Sequence, residues 1–121
     1  MPEPGRVVFV VDDEPIIAES LAAILNHAGF NATAFDDPQK AIAACSEMTP
    51  DLLITDVKMP GMTGVELAIH FRKAQPQCKV LLFSGTASSN YYLEEAHKQG
   101  YDFELIWKPV HPADLLAKIG R

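Results

Sequence analysis

An α/β fold, with one parallel sheet of five strands layered between helices, is the architecture this sequence predicts, and three observations carry it. Short apolar runs alternate with helical-period segments along the whole chain, which is the pattern of repeated strand–helix units. Three of those runs end in polar residues of one functional kind. Val7-Val8-Phe9-Val10-Val11 runs into Asp12-Asp13, Leu52-Leu53-Ile54-Thr55 into Asp56, and Phe103 to Trp107 into Lys108-Pro109. Finally, 121 residues with 48% hydrophobic composition suffice for one domain with a full core and leave no room for a second.

The elements follow in order. Strands are expected near 7–11, 31–35, 52–55, 79–83 and 103–107, and helices near 15–28, 38–48, 64–75, 89–99 and 112–119. In the first helix Ile17, Leu21, Ile24 and Ala28 fall at helical spacing, with Pro15 at the start and Gly29 just past the end, the order in which these two residues bracket helices. Asp36-Asp37 precede Pro38 and read as an N-terminal cap of the second helix rather than a metal site. The third helix puts Val65, Ala68 and Ile69 on one face, whereas Asn90 to His97 is only weakly amphipathic. Pro112 to Ile119 is short and stopped by Gly120.

Composition excludes several classes. A net charge of −6 and a pI near 5.0 argue against direct nucleic-acid binding, which needs clustered positive charge. No apolar run reaches the roughly 18 residues of a membrane span, and Met1 to Arg6 lacks the apolar centre of a secretion signal, so a cytoplasmic location is expected. Cys45 and Cys78 are isolated in apolar surroundings and are expected as buried, reduced thiols. His27, His70, His97 and His111 are scattered, and none is placed as a phosphohistidine.

Parallel strands buried under helices end at one edge of their sheet, so their last residues can converge on a crevice. Asp12, Asp13 and Asp56 would then share a pocket with Lys108. One ammonium does not balance three carboxylates, and carboxylates in contact disfavour each other's ionised form. A divalent cation is the missing charge.

With these residues in view, the chain closely resembles the receiver domain of two-component response regulators. The resemblance rests on Val10-Val11-Asp12-Asp13-Glu14-Pro15, Ile54 to Gly64, Phe83-Ser84-Gly85-Thr86-Ala87 and Trp107-Lys108-Pro109, and covers nearly the whole chain, 1–121, with 1–6 as an N-terminal tail. It implies a flavodoxin-like (βα)5 doubly wound sandwich with strand order 2-1-3-4-5.

The resemblance also implies roles. Asp56 matches the phosphoacceptor, which takes a phosphoryl group from a phosphohistidine on a sensor histidine kinase or phosphotransfer protein. Asp12 and Asp13 match the acidic pair that holds Mg²⁺ together with Asp56, Asp13 as the direct ligand and Asp12 partly through water, and the Lys58 backbone carbonyl matches a further ligand. Ser84 matches the hydroxyl residue that bonds the phosphoryl group and Lys108 the ammonium that pairs with it. Pro109 matches a proline preceded by a cis peptide bond. Phosphorylation would switch binding of a downstream protein, with the fourth helix, fifth strand and fifth helix as the usual output face. No turnover of a separate substrate is expected.

One departure stands out. Three residues before the lysine, where receivers commonly carry an aromatic switch residue, this chain has Leu105. Two rivals follow. A receiver-like interaction module with degenerate switching would keep the fold alone, since fold does not fix function. A haloacid-dehalogenase-type phosphohydrolase shares the aspartate nucleophile and Mg²⁺ but needs a second aspartate two residues later, where Lys58 stands. Met1 before a short tail suggests a receiver that comes first, either stand-alone or cut from a longer chain.

Overall fold

The computed structural model describes residues 6–85, 89–108 and 111–119. Five strands, β1 (Val7–Val11), β2 (Asn31–Phe35), β3 (Leu52–Asp56), β4 (Lys79–Ser84) and β5 (Glu104–Trp107), alternate with α1 (Pro15–His27), α2 (Pro38–Ala44), α3 (Gly64–Ala74), α4 (Ser89–Lys98) and α5 (Pro112–Ile119). All strand pairings are parallel, and the sheet order is β2-β1-β3-β4-β5, as the resemblance implied.

Strand alternation divides the core in two. Phe9, Val11, Leu53, Val80 and Leu82 face one side and pack with Ala41 of α2, Val65, Leu67, Ala68 and Phe71 of α3 and Ala96 of α4. Val8, Val10, Ile54, Leu81 and Phe83 face the other and pack with Ala18, Leu21, Ala22 and Leu25 of α1 and Leu115 and Ile119 of α5. Period 2 in the strands and period 3.6 in the helices thus place a helical layer on each face. Among the described residues, no helix is long and apolar enough to cross a membrane.

Local signals set the element ends. Gly29 takes φ +102°, and Phe30 N–H bonds the Leu25 carbonyl at 3.0 Å, closing α1 with a left-handed glycine. Asp37 caps α2 by accepting from Gln39 N–H at 2.8 Å, as expected, while Asp36 pairs with Lys40. Thr63 and Glu66 form a reciprocal capping box on α3.

Two expectations need correction. Helix α2 stops at Ala44 instead of running to 48, because Ser46 donates its hydroxyl to the Ala43 carbonyl and Glu47 and Met48 N–H groups both turn back to Ala44. Cys78 is buried, but Cys45 is only half-buried; both are free, and burial pushes the Cys78 thiol up to about 11. The expected cis bond before Pro109 lies outside the described residues.

Candidate functional site

The carboxyl ends of β1, β3 and β4 are tied to their neighbours by backbone bonds that continue past the strands. Asp12 N–H donates to the Phe35 carbonyl at 3.1 Å, Val57 N–H to Phe83 at 3.2 Å and Lys108 N–H to Ser84 at 2.7 Å. These bonds hold Asp12, Asp56, Ser84 and Lys108 at one edge of the sheet.

Asp12 is fully buried. One of its oxygens accepts from Glu14 N–H at 2.9 Å and the other from Lys108 Nζ at 3.2 Å. Asp56, 9% exposed, ends β3 with its Oδ2 3.4 Å from the same ammonium. Asp13 is exposed at the rim. One oxygen from each of Asp12, Asp13 and Asp56 can be chosen so that all lie within 4.8 Å of one another. Lys108 is the ammonium that Asp12 and Asp56 share, and its Nζ lies 4.8 Å above the Phe83 ring, which fixes the side chain by a cation–π contact.

This charge balance acts on Asp56. Burial raises the Asp56 pKa above its ordinary value, Lys108 pulls it down, and the Asp12 charge adds to the rise. The net shift is upward, so the metal-free pocket disfavours ionised Asp56. A cation bound by the three acids would remove that penalty.

The turn after β3 is locked from behind. Gly64 N–H donates to the Val57 carbonyl at 2.7 Å, and a Cβ at Gly64 would stand 1.8 Å from the Asp56 carbonyl oxygen. Only glycine lets α3 begin this close to the strand end. Thr55 also donates its hydroxyl to the Asp56 carbonyl at 3.0 Å. The Asp56 backbone is therefore held from two sides.

Ser84 is buried at the end of β4, one residue past Phe83, the partner of Asp56 in the sheet. Its hydroxyl is hydrogen-bonded to that of Ser89. Lys58 is exposed and lines a shallow pocket with Met59, Pro60, Thr63 and Tyr92. Leu105 packs into the core beside Leu82, leaving its site without a ring. Sequence reasoning missed Phe83 beneath Lys108, Gly64 behind Asp56 and Ser89 beside Ser84. Glycine at the first position of a helix was a readable signal for Gly64; Ser89 sat in a polar run, Ser88-Ser89-Asn90, with nothing to single it out.

A buried carboxylate at a strand end, flanked by two acids, an ammonium and a hydroxyl, sits at the carboxyl edge of a parallel sheet, where doubly wound α/β domains carry their sites. The model of the response regulator receiver domain matches residues 8–120, and the chain belongs to that family. It is 31% identical over 112 residues to the DNA-binding response regulator MtrA of Mycolicibacterium smegmatis, covering 93% of this chain and 48% of that protein. It is likewise 31% identical to the phosphate regulon transcriptional regulatory protein PhoB of Pseudomonas aeruginosa, covering 95% of this chain and 50% of that one. The chain thus spans about half the length of these curated relatives. Among solved structures, chemotaxis protein CheY4 of Vibrio cholerae superposes with a TM-score of 0.83 at 26% identity, covering 95% of this chain and 96% of that one. A receiver domain protein from Clostridium thermocellum superposes at 0.82 and 27% identity, covering 94% and 90%.

Proposed function

We propose that this receiver is a phosphoaspartate switch in which Asp56 takes a phosphoryl group from a phosphohistidine on a sensor histidine kinase or phosphotransfer protein. The observation that carries it is the Asp56 carboxylate, recessed at a strand end with Lys108 Nζ 3.4 Å away and Asp12 and Asp13 beside it. An Asp56 oxygen attacks phosphorus, the O–P bond forms, the P–N bond breaks and its electron pair stays on the imidazole nitrogen. The product is an acyl phosphate. Lys108, already anchored by Asp12 and the Phe83 ring, stands where the transferred oxygens gain charge, and Ser84 is one strand away to donate a hydrogen bond.

Asp12, Asp13 and Asp56, with the Lys58 carbonyl, would hold Mg²⁺. The donor set fits: hard oxygens only, from few carboxylates, in an open pocket suited to an ion that keeps several waters. When bound, Mg²⁺ neutralises the acids and charge on the phosphoryl oxygens. Because both Asp12 oxygens already have protein donors while Asp13 is exposed, Asp13 suits direct ligation and Asp12 partial ligation through water.

The added charge on Asp56 then shifts a two-state equilibrium that a protein partner reads on the α4, β5 and α5 face, without direct nucleic-acid contact by this domain and within the cytoplasm. The domain turns over no separate substrate and catalyses only its own phosphoryl gain and loss. Incubation with Mg²⁺ and acetyl phosphate should add one base-labile phosphoryl group by intact mass, absent in Asp56→Asn and with EDTA. An unchanged mass, where a control receiver is labelled, would sink this reading in favour of an interaction module. Equal labelling of Asp56→Asn would move the nucleophile elsewhere.

A further inference from the structure

The hydroxyl pair formed by the last residue of β4 and the first of α4 has a further use. Ser84 closes β4 and Ser89 opens α4, both are buried, and their hydroxyls are hydrogen-bonded. We infer that Ser89 is a positioning residue that couples the Ser84 hydroxyl to α4, so that α4 re-seats when Ser84 turns toward a phosphoryl group on Asp56. The inference rests on the proposed phosphorylation of Asp56.

The chemistry of a hydroxyl sets the direction. It has one hydrogen to donate and two lone pairs to accept with. Phosphoryl oxygens accept, so Ser84 commits its hydrogen to them and keeps Ser89 only as a donor to itself. Ser89 is wholly shielded from solvent, and no bulk water can replace a lost partner. The first turn of α4 therefore follows Ser84 or leaves a buried hydroxyl short of a bond.

Helix α4 is built to respond. Of its ten residues only Ser89 and Ala96 are buried, seven apart and so on one narrow stripe two turns long. Tyr91, by contrast, is 61% exposed. Tyr92 and Leu93 pack against the same core only partly buried, so Ser89 is the one fully buried anchor of the helix's first turn.

A ring-based route is poorly placed. Leu105 replaces the aromatic, and the nearby rings are engaged elsewhere: Tyr101 stacks on Phe103 at 6.3 Å, and Arg72 of α3 lies 5.1 Å over Phe103. Both rings precede β5, whereas Ser84 aligns with Trp107 at its far end. The Ser84–Ser89 pair links β4 directly to α4.

The test is hydrogen exchange on the full chain with Mg²⁺, free and saturated with beryllofluoride, occupancy being read by fluorine NMR. Wild type should change protection over residues 89–98; Ser89→Ala should lose at least threefold of that change with beryllofluoride bound, and Ser89→Thr, which keeps the hydroxyl, should recover it. A merely structural serine would lower stability and leave the response intact. In wild type, independent of any variant, the Ser89 Cβ chemical shift should move on beryllofluoride binding. A Ser89→Ala response equal to wild type, or an unmoved Ser89 shift, overturns the coupling while leaving Asp56 as acceptor. A wild-type protein that takes up neither beryllofluoride nor a phosphoryl group from acetyl phosphate sinks both.

Discussion

Asp56 works against the stability of its own fold, and the pH dependence follows from that. Its pKa lies above the ordinary 3.8, with burial as the leading cause. In metal-free protein at low pH the group is protonated in both folded and unfolded chains and costs nothing. As pH rises past the unfolded value the unfolded chain ionises first, so stability falls and the full penalty is present above the raised folded value. Asp56→Asn should therefore stabilise the metal-free protein at pH 7 by on the order of 1 kcal/mol, the usual scale of one substitution. The gain should vanish below about pH 4. Urea denaturation of both proteins at pH 7 and pH 3.5 checks this, and a gain that persists at the lower pH would contradict the assigned cause. At this scale the sequence was informative wherever a polar residue ended an apolar run, which is how Asp12, Asp13, Asp56 and Lys108 could be read. It was silent where a contact joins two elements. Ser84 ends β4 and Ser89 opens α4, and hydropathy carries no trace of the bond between their hydroxyls.

Among the elements, α3 shows how tightly a helix start can be bound to a strand end. With Gly64 this close to the Asp56 carbonyl, Gly64→Ala forces a Cβ to within 1.8 Å of backbone oxygen, which no rotamer change relieves. The helix or the strand end must move. The expected loss is about 3 kcal/mol, the upper part of the usual range for overpacking, although alanine is the better helix former. Labelling of Asp56 by acetyl phosphate should slow in the fraction that stays folded. Thermal melting and labelling rates together test this, and a variant as stable as wild type would refute the close approach. Helix and strand positions were legible to within a residue or two for nine of the ten elements described, because caps and glycines punctuate them. Helix α2 was not, since Ala43-Ala44-Cys45 reads as continuing helix and only the backbone bonds of Ser46 and its neighbours end it.

For the whole molecule, the pocket is a charge imbalance that a bound cation would correct, and metal and folding would then be linked. Mg²⁺ that binds only the folded state stabilises it by about 2.7 kcal/mol at a hundredfold excess over Kd. Wild type should show a rising thermal midpoint with Mg²⁺, and Asp13→Ala should lose most of that rise while being no less stable without metal. Equal shifts in the two proteins would remove Asp13 from the ligand set. The alternation of strands and helices was legible because apolar runs such as those of β1, β3 and β4 alternate with segments of helical period, whereas the strand order came from the family resemblance. The division of the core into α1 and α5 on one side and α2, α3 and α4 on the other was not, since each strand offers apolar residues to both faces.

Strand β5 lies at the border of the sheet, pairs on one side only, and is followed directly by Lys108. Border strands fray before central ones. Each such opening would carry the ammonium away from Asp12 and Asp56, so on the proposed reading the site would lose its chemistry before the domain unfolds. The same would hold during synthesis: Asp12, Asp13, Asp56 and Ser84 precede Lys108 in the chain, and the proposed acceptor would wait for β5 to dock. A half-made or half-open chain would then not intercept signal meant for the finished one.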